Sequence, residues 1–230
     1  MVIFYSTDIN DNYIILQGEE HQHCTKVLRH NSGSKISVTD GKGYIYHCEI
    51  AKISKQETLC NVIHKEAQAL PHNLPSVAIS LLKNPARLEW FVEKAVEIGI
   101  AEIILFQSGR TEKRAVNQDR MEKLMVAAMK QSLNLHLPKL TIFNNFDGAL
   151  VHSESFDGKY LAWCEDDTLP LQDVRNKKER NILIIGPEGD FTKDEAGDAI
   201  KHGFTLVSLG NTRLRTETAG IVGLTMMHYS

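Results

Sequence analysis

Asn181-Ile-Leu-Ile-Ile185 runs without interruption into Gly186-Pro-Glu-Gly189-Asp-Phe-Thr192. A short aliphatic run of this kind reads as a strand buried on both faces, as in a parallel sheet. Thr192 with Glu195 three residues later forms a capping box, so a helix begins at Lys193; Gly203 ends it. The two glycines therefore sit at the C-terminal end of a strand and just before a helix. Open α/β sheets bind their ligands there, and glycine lets the backbone turn at positive φ or approach a ligand closely. Taken alone, a Gly-Pro-Glu-Gly turn serves equally well as a plain connection.

A second apolar run, Thr205 to Leu209, opens into Gly210-Asn-Thr-Arg213-Leu-Arg215-Thr-Glu217-Thr218-Ala219. A helix starts near Thr218, with Ala219, Gly220 and Gly223 as close-packing surfaces. Two arginines, a glutamate and three threonines thus crowd the end of a buried strand. One reading is structural: Thr216 or Thr218 caps the helix, and Arg215 pairs with Glu217 because semi-buried charges need partners. The other is a site where backbone groups hold a ligand while Arg215 and Glu217 face a polar substrate. No Gly-Lys-Ser/Thr follows either glycine turn, which excludes a phosphate loop. The absence of G-x-G-x-x-G removes the dinucleotide fingerprint, and with it a nucleotide-dependent oxidoreductase.

Outward from these loops the pattern continues. Val77–Leu82, Glu102–Phe106 and Tyr160–Cys164 read as strands, and Ala86–Ile98 and Asp119–Leu133 as helices. Gly99 is the expected stop of the first helix. Gln172–Arg180 reads as a charged loop. Strands alternating with helices imply a mostly parallel sheet with helices on both faces. Before the hinge of Pro71 and Pro75 the chain differs. Val2–Tyr5, Tyr13–Leu16, Lys35–Thr39, Tyr44–Ala51 and Thr58–His64 are short β-rich runs, with a hairpin turn at Asp40-Gly-Lys-Gly43 and a short helix at Glu19–Leu28. They predict a small β-barrel over residues 1–70, followed by an α/β domain over 73–230.

The 230 residues are 42% hydrophobic and 24% charged, an ordinary soluble globular composition. No apolar run is long enough for a bilayer span, and the N-terminus lacks the pattern of a signal peptide; the expectation is a cytoplasmic protein. Cys24, Cys48, Cys60 and Cys164 form no C-x-x-C pair, so no metal site is expected. Net charge is −3. Gln107–Lys139 nevertheless holds seven basic residues, Arg110, Lys113, Arg114, Arg120, Lys123, Lys130 and Lys139, against three acidic ones. A solvated helix face accounts for such a segment; a nucleic-acid footprint does so too.

Several ordered motifs together resemble a known family. Ile185-Gly-Pro-Glu-Gly189-x-Phe-Thr-x-x-Glu195 and Leu209-Gly-x-x-x-Leu-Arg215-Thr-Glu-Thr-Ala219 are similar to the SPOUT class of RNA methyltransferases, and more narrowly to the RsmE family. His23-x-x-x-Val27-Leu-Arg29 and Asp40-Gly-Lys-Gly43 resemble that family's N-terminal domain. Lys83 through Glu93-Lys-Ala-Val-Glu97-Ile-Gly99 and Ala127-Ala-x-x-Gln131-Ser resemble further segments. There are departures: Asp190 stands where the family has a second glycine, Gly-Asn-Thr-Arg-Leu-Arg replaces Gly-Pro-Arg-Ile-Leu-Arg, and Lys130 replaces a glutamate.

The resemblance implies a PUA-like β-barrel followed by a trefoil-knotted α/β domain, acting as a homodimer on small-subunit ribosomal RNA or the assembled small subunit. The implied reaction is methylation of uridine N3 from S-adenosylmethionine. By motif, Gly186, Leu209, Gly210, Asn211 and Leu214 contact the cofactor, with Glu165 as an addition. Arg215 is the candidate to stabilise negative charge on the uridine oxygens. Glu217 takes the N3 proton, directly or through water, or orients Arg215. Lys26, Arg29, Arg110, Lys113 and Arg114 are candidate phosphate contacts. The competing expectation is a non-catalytic RNA-binding or ribosome-assembly protein with a lapsed cofactor pocket.

Overall fold

The structure is a computed structural model that describes residues 2–109, 115–164, 168–176 and 179–229. It divides into two compact units: Met1–Leu70 with Val126–Leu137, and Pro71–Met125 with Pro138–Ser230.

The first unit contains β1 (Ile3–Tyr5), β2 (Tyr13–Gln17), α1 (Gly18–Gln22), β3 (Lys35–Thr39), β4 (Tyr44–Ile53) and β5 (Glu57–Ala67). The strands form one sheet in the order β1-β3-β4-β5-β2, parallel at β1–β3 and antiparallel elsewhere. Alternation drives it: Ile14, Leu16, Ile36, Val38, Tyr46, Cys48, Ile50 and Cys60 all point into one core with Phe4 and Cys24. Register shifts on β4 between His47 and Cys48 and between Ile50 and Lys52 bend the strand, and the expected barrel takes the form of a curled half-barrel. The helix expected over Glu19–Leu28 forms, with its second half wound as a π-turn. α1 passes into a π-turn, His23–Val27, and Arg29 then adopts φ 56°.

Val126–Leu137 belongs with this unit for a physical reason. Leu135 packs with Ile3 and Ile45, its carbonyl accepts from Gly43 N–H at 2.8 Å, and Lys130 pairs with Glu20.

The second unit is a parallel seven-stranded sheet. It contains β6 (Ser76–Ser80), α2 (Pro85–Ile98), β7 (Glu102–Phe106), α3 (Gln118–Gln131), β8 (Lys139–Phe143), α4 (Phe146–His152), β9 (Gly158–Ala162), β10 (Leu169–Pro170), α5 (Leu171–Val174), β11 (Asn181–Ile185), α6 (Lys193–Lys201), β12 (Thr205–Ser208) and α7 (Thr216–Tyr229). The residues of α3 from Val126 onward count with the first unit. β8, α4, β10 and α5 were not foreseen.

Strand order is β10-β12-β9-β11-β6-β7-β8. Alternate residues of the central strands face opposite layers. Ala78, Ile104, Ile182 and Ile184 join a cluster with Phe146, Phe191 and Phe204. On the other face α7 lies over β6 and β11 and packs on α2. Its glycines allow that approach: a Cβ at Gly220 would sit 2.6 Å from Phe91 Cε2, and one at Gly223 2.1 Å from Leu183 Cδ2. β11 is laid between the earlier strands β6 and β9, and α7 then returns across β11 and β6. Among the described residues, no helix is long and apolar enough to cross a membrane.

Candidate active site

Three loops meet at the C-terminal ends of the parallel strands: Leu81–Asn84 after β6, Gly186–Thr192 after β11 and Leu209–Arg215 after β12. Each is held by backbone chemistry that its residues dictate. In the β11 loop, Gly186 has no room for a side chain, since a Cβ there would lie 2.9 Å from Phe191 Cε2. Asp190 adopts φ 60°, its N–H donates to Pro187 C=O at 3.0 Å, and its Oδ1 accepts from Phe191 N–H at 2.8 Å. The aspartate that departs from the family's glycine is thus in the left-handed region, which Asp and Asn tolerate better than other side chains.

The capping box forms as expected. Thr192 Oγ1 accepts from Glu195 N–H at 3.1 Å, and Glu195 Oε2 accepts from Thr192 N–H at 2.7 Å. The other Glu195 oxygen accepts from Gly109 N–H at 3.3 Å. Glu188 Oε1 accepts from Lys83 N–H at 3.1 Å, tying the β11 loop to the β6 loop.

The β12 loop is more open. Gly210 has φ 132°, and Gly210 through Arg213 are exposed. The last helix starts at Thr216 rather than near Thr218, and Arg215 C=O accepts from Ala219 N–H at 2.7 Å. Neither Thr216 nor Thr218 is a side-chain cap: Thr216 is already helical and is buried.

Two adjoining cavities lie against these loops. The larger, about 870 Å³, is lined by Leu209, Gly210, Asn211 and Leu214, with Trp163 and Asp190. The smaller, about 310 Å³, is lined by Gly186, Pro187, Glu188, Leu214 and Arg215. They share Cys164, Asp190, Arg213 and Leu214 as wall residues. Both sizes fall in the range of small-molecule sites. Partial burial and then the nearby Asp190 carboxylate push the Cys164 thiol up, against a smaller opposite pull from Arg213.

The structure brings Gly186, Leu209, Gly210, Asn211, Leu214 and Arg215 together on these walls. Glu165 lies outside the described residues, as do Arg110, Lys113 and Arg114. Lys26 and Arg29 are exposed on the first unit. The alternative in which Arg215 pairs with Glu217 does not hold. Glu217 is 8% exposed, and the cation beside it is Arg87, whose Nε lies 3.6 Å from Oε1. Among the described residues Glu217 Oε2 has no hydrogen-bond partner, and no described residue forms an ion pair with Arg215. Glu217 lines neither cavity. The basic segment is largely neutralised where it is described. Arg120 meets Glu89 through Nε and Nη2 at 2.6 and 2.8 Å, Lys130 pairs with Glu20, and Lys139 lies 3.0 Å from Glu102.

Sequence reasoning missed Arg87 and Trp163. Arg87 follows the helix start marked by Asn84, whose side chain accepts from Ala86 N–H at 3.0 Å. That cap was the available local signal, but nothing near Arg87 points to a partner in the last helix.

Strand-end glycine loops around a cavity, with an arginine on its wall that no described residue pairs, make this a ligand-binding α/β domain of the enzyme type. The chain belongs to the RNA methyltransferase family: the family model for the RNA methyltransferase domain matches residues 71–228, and that for the RNA methyltransferase PUA domain matches residues 16–63. A Bacillus subtilis protein named ribosomal RNA small subunit methyltransferase E is 28% identical, over 93% of this chain and 89% of its own. The crystal structure of a probable rRNA-methyltransferase from Porphyromonas gingivalis is 31% identical, with a TM-score of 0.93 over 99% of this chain and 97% of its own. The Neisseria gonorrhoeae ribosomal RNA small subunit methyltransferase E, solved bound to S-adenosyl methionine, shares the fold at 24% identity, with a TM-score of 0.87 over 99% of this chain and 96% of its own. The resemblance to the RsmE family and the expected fold class are both borne out.

Proposed function

We propose that this chain methylates N3 of a uridine in small-subunit ribosomal RNA, using S-adenosylmethionine. Family membership supports RNA as the substrate, and the joined cavities beneath Leu209–Arg215 carry the site assignment. The residues fit the cofactor. A side chain at Gly186 would collide with Phe191, and Gly210 has the backbone freedom of glycine at φ 132°. The larger cavity, about 870 Å³, has room for a nucleoside with an amino-acid tail. Gly186, Leu209, Gly210, Asn211 and Leu214 would hold that group, with Glu165 as a further contact. Bound there, S-adenosylmethionine supplies an electrophilic methyl on a sulfonium.

The remaining chemistry belongs to the chain. Uracil N3 becomes a nucleophile only after losing its proton, and the negative charge then spreads to the flanking oxygens. Arg215 stabilises that charge, a role supported by its position on the smaller cavity's wall and by its being a permanent cation with no ion-pair partner among the described residues. Glu217 lines neither cavity, which favours a positioning role, in which it anchors the first turn of α7 behind Arg215, over direct proton abstraction. Residues 1–70 act as an RNA-binding domain and 73–230 as the methyltransferase domain. Lys26, Arg29, Arg110, Lys113 and Arg114 contact phosphates. The protein acts as a cytoplasmic homodimer on the small subunit or its RNA, with no membrane association.

A lapsed pocket finds no support in Asp190, whose turn is hydrogen-bonded and leaves both cavities open. Mass-spectrometric mapping of ribosomal RNA from cells lacking the protein tests the proposal. One missing N3-methyluridine, restored by the purified protein with S-adenosylmethionine, is the expected result. An unchanged methylation map would overturn it.

A further inference from the structure

We propose that the first unit carries a nucleotide pocket of its own, in which an unpaired base of the RNA seats beside His30 and His47 while flanking phosphates rest on Arg29 and Lys35. The proposal rests on the reading that the substrate is RNA.

A cavity of about 490 Å³ opens on the half-barrel, entirely within this unit. Its floor is apolar and fixed: Phe4, Ile36 and Cys48 are buried. Its rim is also apolar but open, with Val2 48% and Ile63 58% exposed. Single exposed aliphatic residues are ordinary on a surface. Two of them framing a concavity with an apolar floor describe a binding site.

The polar groups around it divide into two kinds. His47 is held in place: Nδ1 lies 3.4 Å from Ser37 Oγ and Nε2 3.3 Å from Glu66 Oε1. Its ring lies parallel to His64, with centroids 6.1 Å apart and planes at 10°. It presents a fixed flat plate. His30 is half-buried and edge-on to Phe4, with centroids 6.3 Å apart. No described residue hydrogen-bonds its ring, so its nitrogens remain available to a ligand. Lys35 and Arg29 are exposed, and no described carboxylate pairs with either. Glu49 is the cross-strand neighbour of Lys35 without forming an ion pair, and Glu66 is engaged by His47 and His64.

The backbone adds an independent observation. The chain leaves α1 through a π-turn at His23–Val27, and Arg29 at φ 56° closes it as the left-handed residue that commonly follows a helix. His30 N–H donates to Cys24 C=O at 3.1 Å, fixing the segment so that Leu28 and His30 both reach the cavity. π-Turns of this kind are frequent at functional sites. An apolar floor, a flat imidazole plate, a free imidazole edge and unpaired cations match a splayed-out base with its phosphates.

The test uses the full chain and a short, unstructured, fluorescein-labelled RNA, with binding followed by anisotropy. His30→Ala should weaken binding roughly 2- to 12-fold, the range for losing one hydrogen bond to the base. Ile63→Glu, on the exposed rim, should weaken it in the same direction without endangering the fold. Lys35→Glu should lower the slope of log K against log salt by about one phosphate contact. Calorimetric affinity for S-adenosylmethionine should be unchanged in all three. If the wild type binds the RNA and all three variants match it, the pocket is wrong and the methylation reading stands. If the wild type binds no single-stranded RNA yet methylates small subunits, the pocket again falls alone. If it neither binds nor methylates RNA, both fall.

Discussion

Glu102 and Glu217 are buried alike, each 8% exposed, but they lie at opposite ends of one parallel sheet and are treated differently. Glu102 opens β7 at the N-terminal end of the strands. It accepts from the Thr141 hydroxyl, from Lys139 at 3.0 Å and from His152 Nε2, which lies 3.1 Å from both of its oxygens. Glu217 stands beyond the C-terminal ends, with Arg87 at 3.6 Å and one oxygen unpartnered among the described residues. Buried polar groups are normally satisfied, so an unsatisfied one calls for an explanation. The saturated carboxylate holds the sheet together; the under-saturated one belongs to the end where the loops frame the cavities. Substitutions should therefore separate cleanly, costing turnover at one end and stability at the other.

The largest expected effect is on turnover. Arg215→Ala should lower kcat by on the order of 10²–10³, the usual loss when one preorganised charge-stabilising group is removed. The melting temperature should barely move, because no described residue pairs with Arg215. Wild-type turnover on intact small subunits would remove Arg215 from the chemistry.

At the other end the effect should reverse. Glu102→Ala leaves His152 and Lys139 without their acceptor. Breaking a buried pair costs about 3–5 kcal/mol, but Lys139 is 63% exposed, and screening reduces the loss to about 2–3 kcal/mol. Denaturant unfolding measures it, and turnover below the transition should be unchanged. The same carboxylate sets an acid limit. Burial alone would raise its pKa, but the hydrogen bonds from Thr141, Lys139 and His152 outweigh that and hold it below the ordinary 4.5. A depressed folded pKa gives stability that is complete above the unfolded value and is lost as pH falls through the folded one. Stability should therefore drop below about pH 4.5 in the wild type and drop less in Glu102→Gln.

Glu217→Gln sharpens the comparison. It should change stability by no more than ~1 kcal/mol, since one oxygen has no described partner and the ion pair is long and partly exposed. In a positioning role its loss should cost turnover about tenfold, or ~1.4 kcal/mol, and leave the shape of the pH–rate profile intact. Loss of one limb of that profile would instead make Glu217 the proton acceptor.

The pair also shows what a sequence carries and what it does not. Asn181–Thr192 was legible because every local signal agreed: an aliphatic run, a glycine turn, then a capping box that formed between Thr192 and Glu195. α4 was not. Gly148 interrupts its pattern, and its start depends on Asn145 accepting from Gly148 N–H at 2.9 Å. Partners distant in the chain were invisible. Glu217 meets Arg87, and Arg120, Lys130 and Lys139 meet Glu89, Glu20 and Glu102, pairings decided by strand order rather than by spacing. That order places β11 between β6 and β9, and no local periodicity encodes it. The cavity-lining residues after β11 and β12 were found because strand ends are where such sheets bind ligands.

The smallest effect tests whether the C-terminal end tolerates strain for the sake of its loop. Asp190 at φ 60° sits where glycine would be at ease, and a non-glycine residue in that region loses roughly 1 kcal/mol. Against this, its side chain accepts from Phe191 N–H at 2.8 Å, a bond worth about 1 kcal/mol net. Asp190→Gly removes both, so stability should shift by no more than ~0.5 kcal/mol in either direction. Cofactor affinity should hold, because the Asp190 N–H bond to Pro187 C=O keeps the turn without the side chain. A large loss of affinity with unchanged stability would mean that the carboxylate, which stands between the two cavities, contacts the ligand itself. The departure from the family's glycine would then be part of the binding site rather than a neutral variation on its turn.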